Sequence, residues 1–360
     1  MKNLLIITGS LSGGGTERVS VTLANFLAEQ GHNVNIAVFR TGKSGYAVNG
    51  NISIHILPGC KIDSGPSIIR KLYATIMDYA ALRKIIMENK IESIISFSNP
   101  PVILMLLLTM RLSIISSKRN YPPESSSAME RQIFRRSKAI VFQTPEQMEY
   151  YDEKTRKKGV VIPNPITGNL PEPYNGNRRK EIITFCRLAK QKNLKMLIDG
   201  FIKFHATFPD YTLIIYGSRS LKDSSHLEEL EEHINANKMG QVIKIKEFTH
   251  DIHQLIADSA CFALTSDFEG ISNSMLEAMA IGLPVICTDC KGGGANAFIK
   301  NYENGILIPV NDREALSQAL VYIASNPEKA QEMGKKAVEI KETLAMEKTC
   351  GKWLEIPGIY

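Results

Sequence analysis

The sequence predicts an α/β protein of two domains, each built on a parallel sheet, and three observations carry that expectation. Apolar runs of strand length alternate with longer segments of helical periodicity; the runs include NLLIITG (3–9), VNIAVF (34–39), SIISF (93–97), EIITFC (181–186), YTLIIYG (211–217), CFALTS (261–266) and GILIPV (305–310). Strands that are apolar at nearly every position are buried on both faces, as in βαβ units. The chain is 360 residues long, which suggests two cores rather than one. A Pro-, Gly- and Asn-rich stretch from Asn164 to about Arg179 interrupts the alternation, which then restarts.

In the first half, the strand at 3–9 runs into Gly13-Gly14-Gly15, a flexible loop. A helix follows, capped by Thr16 or its neighbour, with Val19, Leu23, Phe26 and Leu27 on its apolar face and Gly31 at its end. The loop is not the dinucleotide fingerprint, because Arg18 stands where G-x-G-x-x-G needs glycine. Alone, it reads equally as a tight turn with a surface arginine. Ile52–Leu57 reads as a strand and Cys60–Pro66 as a loop. Ser67–Asn89 reads as a long helix with Arg70, Lys71, Arg83 and Lys84 among Ile, Leu, Tyr and Met. Such a helix can lie against lipid headgroups; the commoner arrangement covers a sheet with the charges outward. Val102–Met110 is very apolar but stops at Arg111, too short to span a bilayer, so a buried helix is expected. Strands at 112–116 and 138–144, a helix over 146–158 and an exit strand in 159–166 complete the half.

In the second half, Arg187 closes a strand and Lys192 precedes a helix beginning near Asn193. Both cations therefore flank the C-terminal edge of the new sheet, where open α/β sheets bind ligands. An arginine fork and a lysine point charge suit a diphosphate; two exposed surface cations are the plain alternative. The strand at 211–217 ends at Gly217, with Ser218-Arg219 after it, and VIKIKEF (242–248) ends at Phe248. His250-x-x-His253 has no evident third metal ligand and reads as a helix start.

The half is organised around SDFEGISNSMLEAMAIGLPVICTD, 266–289. A loop carries Glu269; a helix starts near Ser272, carries Glu277, and stops at Gly282-Leu283-Pro284 before the next strand. The helix start at Gly270, Ile271, Ser272 and Asn273 presents backbone N–H groups and a positive dipole end, which suit an anion such as a diphosphate. Gly270 lets a ligand approach the backbone closely. Glu269 and Glu277, with seven residues between them, are suited to accept from hydroxyls instead. A hydroxyl-rich molecule with a diphosphate in its middle is a nucleotide-sugar. On spacing alone the plainer reading leads: one acid at a helix start and one solvated helical Glu. Lys291-Gly292-Gly293-Gly294 is a loop, 312–341 two helices, and about 343–355 a last helix with Trp353.

E-G-I-S-N-S-M-L-E-A-M-A-x-G-x-P-V-I, from Glu269 to Ile286, resembles the E-x7-E signature of glycosyltransferase family 4, retaining enzymes of the GT-B fold. The resemblance implies two Rossmann-like domains facing an inter-domain cleft. The first, 1–165, would lie on the acceptor side; the second, 166–342, would bind the nucleotide-sugar; the helix of about 343–360 would pack back on the first. Gly13, Gly14, Gly15, Glu17 and Arg18 fit the family's G-G-x-E-R loop, which faces the acceptor and the donor phosphates. Arg187-Leu188 and Lys192 match its G-R-L and following Lys, which serve the diphosphate, with Cys186 replacing the usual glycine. By the same resemblance Glu269 holds sugar hydroxyls and Glu277 the ribose, Phe248 and Thr249 lie in the loop that cradles the nucleobase, and Gly217 is a further donor-binding residue. Ser117–Pro122 is similar to an S-x-R-N-x-P variant found in surface-polysaccharide branches. Lys118-Arg119-Asn120 there replaces the His of many members, and Arg119 would be either a phosphate contact or a plain surface residue.

The charge is unevenly divided: residues 1–165 hold 21 Lys and Arg against 12 Asp and Glu, and the remainder 22 against 25. A first half at +9 and a second at −3 points to an anionic partner for the first. No nucleic-acid recognition motif is present, so a membrane surface or a diphosphate-linked substrate fits better. Six cysteines (Cys60, Cys186, Cys261, Cys287, Cys290 and Cys350), mostly in apolar runs, suit free thiols in a reducing compartment. Cys287-x-x-Cys290 lacks the second pair a zinc site needs. The N-terminus enters a strand directly, so a cytoplasmic protein, peripheral at the inner face of the plasma membrane, is expected.

The expectation is a retaining transferase that needs no metal and no cofactor. It would move a sugar from a nucleotide-sugar, with UDP the expected nucleotide, to a saccharide acceptor linked to polyprenyl diphosphate, as in O-antigen or capsule assembly. A GT-B epimerase would convert a UDP-sugar without an acceptor. A non-catalytic nucleotide-sugar-binding partner fits less well, because Glu269, Glu277, Arg187 and Lys192 are all retained.

Overall fold

The computed structural model describes residues 1–40, 45–61, 67–98, 100–119, 127–168, 170–218, 224–249 and 251–359. Asn120 and the loop after it, Arg219, His250, and most of the loop read at Cys60–Pro66 lie outside the described residues. The chain forms two compact units, Met1–Pro165 with Met346–Tyr360, and Ile166–Ala345.

The first unit is built on β1 (Asn3–Thr8), β2 (Asn33–Val38), β3 (Ser53–Ile56), β4 (Ser93–Ser96), β5 (Ser113–Ser117), β6 (Ala139–Phe142) and β7 (Gly159–Val161). Among the described residues they form a seven-stranded sheet ordered β3-β2-β1-β4-β5-β6-β7. Every pairing is parallel, with Leu5 of β1 opposite Asn35 of β2 and Ile94 of β4. The strands can be apolar throughout because both faces are covered. Leu4 and Ile6 point to one face, where the helix Gly15–Glu29 supplies Val19, Leu23 and Phe26, and the terminal helix Met346–Leu354 supplies Cys350 and Trp353. Leu5 and Ile7 point to the other, covered by the helices Ser67–Glu88, Pro101–Thr109 and Ala128–Arg136 through Leu82, Ile86, Val102, Ile103 and Phe134.

Three local expectations need correction. Thr16 does not cap its helix; the cap position is Gly14, with no side-chain capping bond, and Thr16 lies inside the first turn. The helix expected over 146–158 is two short ones, Pro145–Glu149 and Glu153–Arg156. Asp152 divides them, because its carboxylate accepts from Thr155 N and starts a new helix there. The helix Ser67–Glu88 covers the sheet only with its C-terminal part: Leu82, Ile85 and Ile86 are buried, whereas Ile68, Ile69, Leu72, Tyr73 and Ile76 are exposed. Pro101–Thr109 is likewise buried on one side, through Val102, Ile103 and Leu106, with Leu108 exposed. No helix among the described residues is long and apolar enough to cross a membrane.

The second unit is built on β8 (Arg179–Arg187), β9 (Thr212–Ser218), β10 (Ile243–Glu247), β11 (Ser259–Leu264), β12 (Val285–Thr288) and β13 (Ile306–Ile308). Among the described residues the sheet is six-stranded and parallel, ordered β10-β9-β8-β11-β12-β13. The helices Leu194–His205 and Arg313–Ser325 cover one face with Leu197, Phe201, Leu316 and Leu320. Met275, Leu276 and Met279 of the helix Asn273–Ala280 fill the other, with Ile252 and Ile256. The order reverses between β1 and β4 in the first sheet and between β8 and β11 in the second. Crevices for ligands open at such switch points, outside the carboxyl ends of the strands. In the second unit Arg187 ends β8 at that point, and the segments after β8 and β11 carry Lys192 and Glu269.

Candidate active site

The loop after β8 is fixed by Asn193. Its backbone is left-handed, φ 46°, which turns the chain sharply into the helix Leu194–His205, and its side chain accepts from Met196 N at 3.3 Å. Its amide also donates to Asp267 Oδ1 at 2.7 Å. Thr265 Oγ1 donates to the carbonyls of Lys192 and Asn193, both at 3.1 Å, and Asp267 N donates to Gln191 O at 2.9 Å. These bonds join the loops after β8 and β11. Within them Lys192 and Glu269 form an ion pair, and Ser266 Oγ donates to Glu269 Oε1 at 3.2 Å. Lys192 is buried rather than a surface cation, whereas Arg187 at the end of β8 is exposed.

Ser272 caps the helix Asn273–Ala280 by accepting from Met275 N at 3.4 Å. The turn at Gly270 is backed by the glycine loop after β12. A Cβ on Gly294 would collide with the Gly270 carbonyl oxygen, so only glycine permits that approach. Glu269 N also donates to Lys291 O in that loop, at 3.1 Å. Glu277 is buried, and its Oε2 lies 2.7 Å from Nε2 of His253, on the short helix Ile252–Ile256. The imidazole meets Phe185 of β8 edge-on, ring centroids 5.8 Å apart. Gly217 is the next-to-last residue of β9, and Leu188 fills the space a Cβ there would take. Phe248, 47% exposed, donates its N–H to Gly217 O at 3.3 Å.

Three thiols border the Lys192–Glu269 pair. Burial pushes Cys186 up to about 11 and Cys290 up to about 12, and raises Cys287 as well, while the Lys192 charge opposes each shift. Burial thus favours the neutral thiol, the poorer nucleophile, at all three. Among the described residues no group of three or more His, Cys, Asp and Glu is placed to hold a metal ion.

In the first unit Gly13 and Gly14, followed by the first turn of the helix Gly15–Glu29 with Glu17 and Arg18, come after β1 at the switch point. Glu17 Oε1 accepts from Ser10 Oγ at 3.1 Å, and its carboxylate lies where a Cβ on Gly14 would be. Tyr46 donates its hydroxyl to Gly14 O at 3.0 Å. Gly13 has φ +117°, which favours glycine. Arg119 is not the surface residue that one reading expected. It is 7% exposed, with its guanidinium carbon 5.0 Å from the Phe97 ring centroid and 5.5 Å from that of Trp353. Nη1 donates to Asn164 Oδ1 at 2.9 Å, while Nε and Nη2 find no hydrogen-bond partner among the described residues. Burial pulls its pKa below the usual arginine value.

Arg187, Lys192, Gly217, Phe248, Glu269, the 270–273 turn and Glu277 thus all lie in the second unit, at or beside the C-terminal edge of one sheet. Gly13 to Arg18 and Arg119 lie in the first unit, at the C-terminal edge of the other. Sequence reasoning missed His253 as the partner of Glu277 and Gly294 as the support of Gly270. The only signals were a histidine at the start of a helix and a run of three glycines after a strand.

Residues 13–167 match the family described as Glycosyltransferase Family 4, and residues 171–339 the one described as Glycosyl transferases group 1. The chain belongs to glycosyltransferase family 4. A Haemophilus influenzae protein named an uncharacterized glycosyltransferase is 25% identical over 354 residues, 95% of this chain and 96% of that one. A Campylobacter jejuni enzyme named a GalNAc-α-(1→4)-GalNAc-α-(1→3)-diNAcBac-PP-undecaprenol α-1,4-N-acetyl-D-galactosaminyltransferase is 23% identical over 365 residues, 99% and 98% of the two chains. Among solved structures, sucrose-phosphate synthase from Thermosynechococcus elongatus superposes with a TM-score of 0.83 at 17% identity, covering 99% and 98%. HepE of Anabaena, in complex with UDP and glucose, gives 0.81 at 16% identity, covering 99% of each chain. The family 4 glycosyltransferase therefore has the GT-B fold that its sequence predicts.

Proposed function

We propose that the protein is a retaining glycosyltransferase of bacterial surface-polysaccharide assembly, taking a sugar from a UDP-sugar to a saccharide carried on polyprenyl diphosphate. The observation that supports this reading is the Lys192–Glu269 ion pair at the switch point of the second sheet, with Arg187 at the end of β8 and Glu277 on the helix that follows the Glu269 loop. Arg187, Lys192 and the 270–273 turn offset the charge of the leaving diphosphate, an electrostatic stabilisation of a developing anion. Glu269 accepts from sugar hydroxyls, Glu277 accepts from the ribose, and Phe248 with Gly217 borders the base. The bond from the sugar's anomeric carbon to the diphosphate oxygen breaks, and a bond from that carbon to the acceptor oxygen forms on the same face. The acceptor proton passes to the departing diphosphate, so the protein supplies no nucleophile.

The relatives favour this substrate class. The Campylobacter enzyme is named for an undecaprenol-linked saccharide, and an Erwinia amylovora relative, 22% identical over 374 residues, is named for amylovoran biosynthesis. The HepE complex favours UDP. The acceptor belongs with the first unit, whose +9 charge suits a diphosphate and an anionic inner membrane surface. A peripheral membrane position is supported by the exposed Ile68, Ile69, Leu72, Tyr73 and Ile76 beside Lys71, and by a depression lined with Arg135, Lys154, Lys157 and Lys158 in the same helical layer.

The test is a panel of nucleotide-sugars with undecaprenyl-diphosphate-linked acceptors, followed by product analysis. Acceptor-dependent release of UDP with a lengthened saccharide is expected, and the new linkage should keep the donor's anomeric configuration. Conversion of a UDP-sugar without an acceptor would identify an epimerase. Nucleotide-sugar binding with no turnover on any acceptor would leave a binding partner.

A further inference from the structure

We propose that His253 is a positioning residue for nucleotide recognition: its imidazole fixes the Glu277 carboxylate in the orientation in which it meets the ribose hydroxyls of a nucleoside diphosphate. The inference rests on the donor-site reading above and deepens it.

Glu277 stands on the second turn of the helix Asn273–Ala280 and is 5% exposed. A carboxylate so far from water needs hydrogen-bond donors. An ionised carboxylate only accepts, so the 2.7 Å contact between His253 Nε2 and Glu277 Oε2 requires the ring nitrogen to donate. That fixes the hydrogen on Nε2 and selects which face of the imidazole meets the acid. The ring cannot turn away easily, because Phe185 presses on it edge-on, and Phe185 is itself packed against Phe262 at 5.3 Å. The device thus spans three elements: a strand of the sheet holds an aromatic, the aromatic holds the imidazole, and the imidazole holds the acid.

The bond leaves the acid able to act on a ligand. A carboxylate offers about four lone-pair sites, so the bond from the histidine does not by itself saturate it. The side chains of His253 and Glu277 are 18% and 7% exposed, so the pair borders solvent without being surrounded by it. A carboxylate free to rotate would lose orientation entropy on meeting a diol; one already held does not. The same logic operates when a partner fixes the ligand behind it at a metal site. Loss of the imidazole therefore costs recognition of the ribose, whereas a merely structural histidine would cost only folding.

The experiment is calorimetric titration of the whole protein with UDP and GDP and with their 2′,3′-dideoxy analogues. The native protein is expected to prefer the ribonucleotide by about tenfold or more, the scale of a hydrogen bond to a charged group. His253→Ala should reduce that preference to roughly threefold or less, and so should His253→Asn, whose amide ends near the Nδ1 position. His253→Gln, whose amide nitrogen reaches near the Nε2 position, should restore it. In turnover assays the Ala variant should raise the donor KM with kcat nearly unchanged. Full ribose preference in the Ala and Asn variants, whatever their thermal stability, would overturn the role of His253 and leave the donor site standing. A native protein that binds neither nucleotide, or binds without ribose preference, would overturn the reading on which it rests.

Discussion

Lys192 and Glu269 neutralise one another inside the second unit, with side chains only 8% and 15% exposed. Removing two charges from water costs several kcal/mol per ion, and pairing with further hydrogen bonds offsets that cost. Ser266 Oγ supplies one such bond to Glu269. The pair also ties the loop after β8 to the loop after β11. A diphosphate arriving at Lys192 would compete with Glu269, and a carboxylate released in this way would be available to sugar hydroxyls.

Lys192→Ala leaves the half-buried Glu269 without its cation. A loss of about 3–5 kcal/mol in urea denaturation is expected, with part recovered by adding Glu269→Gln. A loss no larger than that of a surface substitution would contradict the burial of the pair. Arg187 separates function from folding. It is exposed, so Arg187→Ala should change stability by no more than about 0.5 kcal/mol, while weakening UDP or GDP binding by about 1.5–3 kcal/mol. Unchanged affinity would remove Arg187 from the diphosphate site.

Turnover should not depend on a divalent metal, because Arg187, Lys192 and a helix start are proposed to carry the leaving-group charge. Most activity should persist in EDTA. Complete loss, restored by magnesium or manganese, would assign that charge to a metal instead.

Binding to vesicles should require anionic lipid and weaken in high salt, since exposed cations near such a surface contribute about 1 kcal/mol each. Ile69→Glu and Leu72→Glu, on the exposed half of the helix Ser67–Glu88, should reduce sedimentation with vesicles while leaving the thermal midpoint in place. Binding indifferent to lipid charge, salt and both substitutions would place the membrane contact elsewhere.

Asp78 lies 8% exposed on the same helix, and its Oδ1 accepts from Gly59 N at 2.7 Å. Burial raises its pKa despite that bond. A carboxyl whose folded pKa is raised holds its proton longer in the native state, so its contribution to stability falls as pH rises above the unfolded value. Asp78→Asn keeps an acceptor and removes the charge. It should raise the urea midpoint near pH 7, and the gain should shrink near pH 4, where the unfolded group is about half protonated. A gain that grows on acidification would reverse the assigned sign.

The sheet strands and most helices were legible because their patterns are local. Leu4 to Ile7 are apolar in succession, and each is fully buried between two helical layers. Asp152 splits a helix through a cap that resembles any polar residue in sequence. The acids at 269 and 277 were legible from one contiguous motif. Their partners were not. Lys192 meets Glu269 across 77 residues, a pair that exists only once β8 and β11 are neighbours, and His253 meets Glu277 across 24, a pair that exists only once the helices before and after β11 pack on one face of the sheet. Arg119 misled for the same reason: its burial depends on Trp353, brought to it by the terminal helix. Exposure of Ile68, Ile69 and Leu72 was also hidden, because an apolar stripe at helical spacing does not reveal whether anything covers it.

Glu269 and Glu277 divide the proposed labour, and changing each to Gln keeps size while removing charge. The decisive measurement is steady-state transfer combined with UDP titration on both variants. Glu277→Gln should mainly weaken UDP binding, because the ribose is present in donor and product alike. Glu269→Gln should bind UDP nearly as the native protein does yet lose transfer, because only the intact donor brings it a sugar; a loss confined to kcat marks an interaction strengthened in the transition state. If Glu269→Gln retains full transfer, the half-buried acid beside Lys192 is a structural counter-charge and the proposed catalytic site is contradicted.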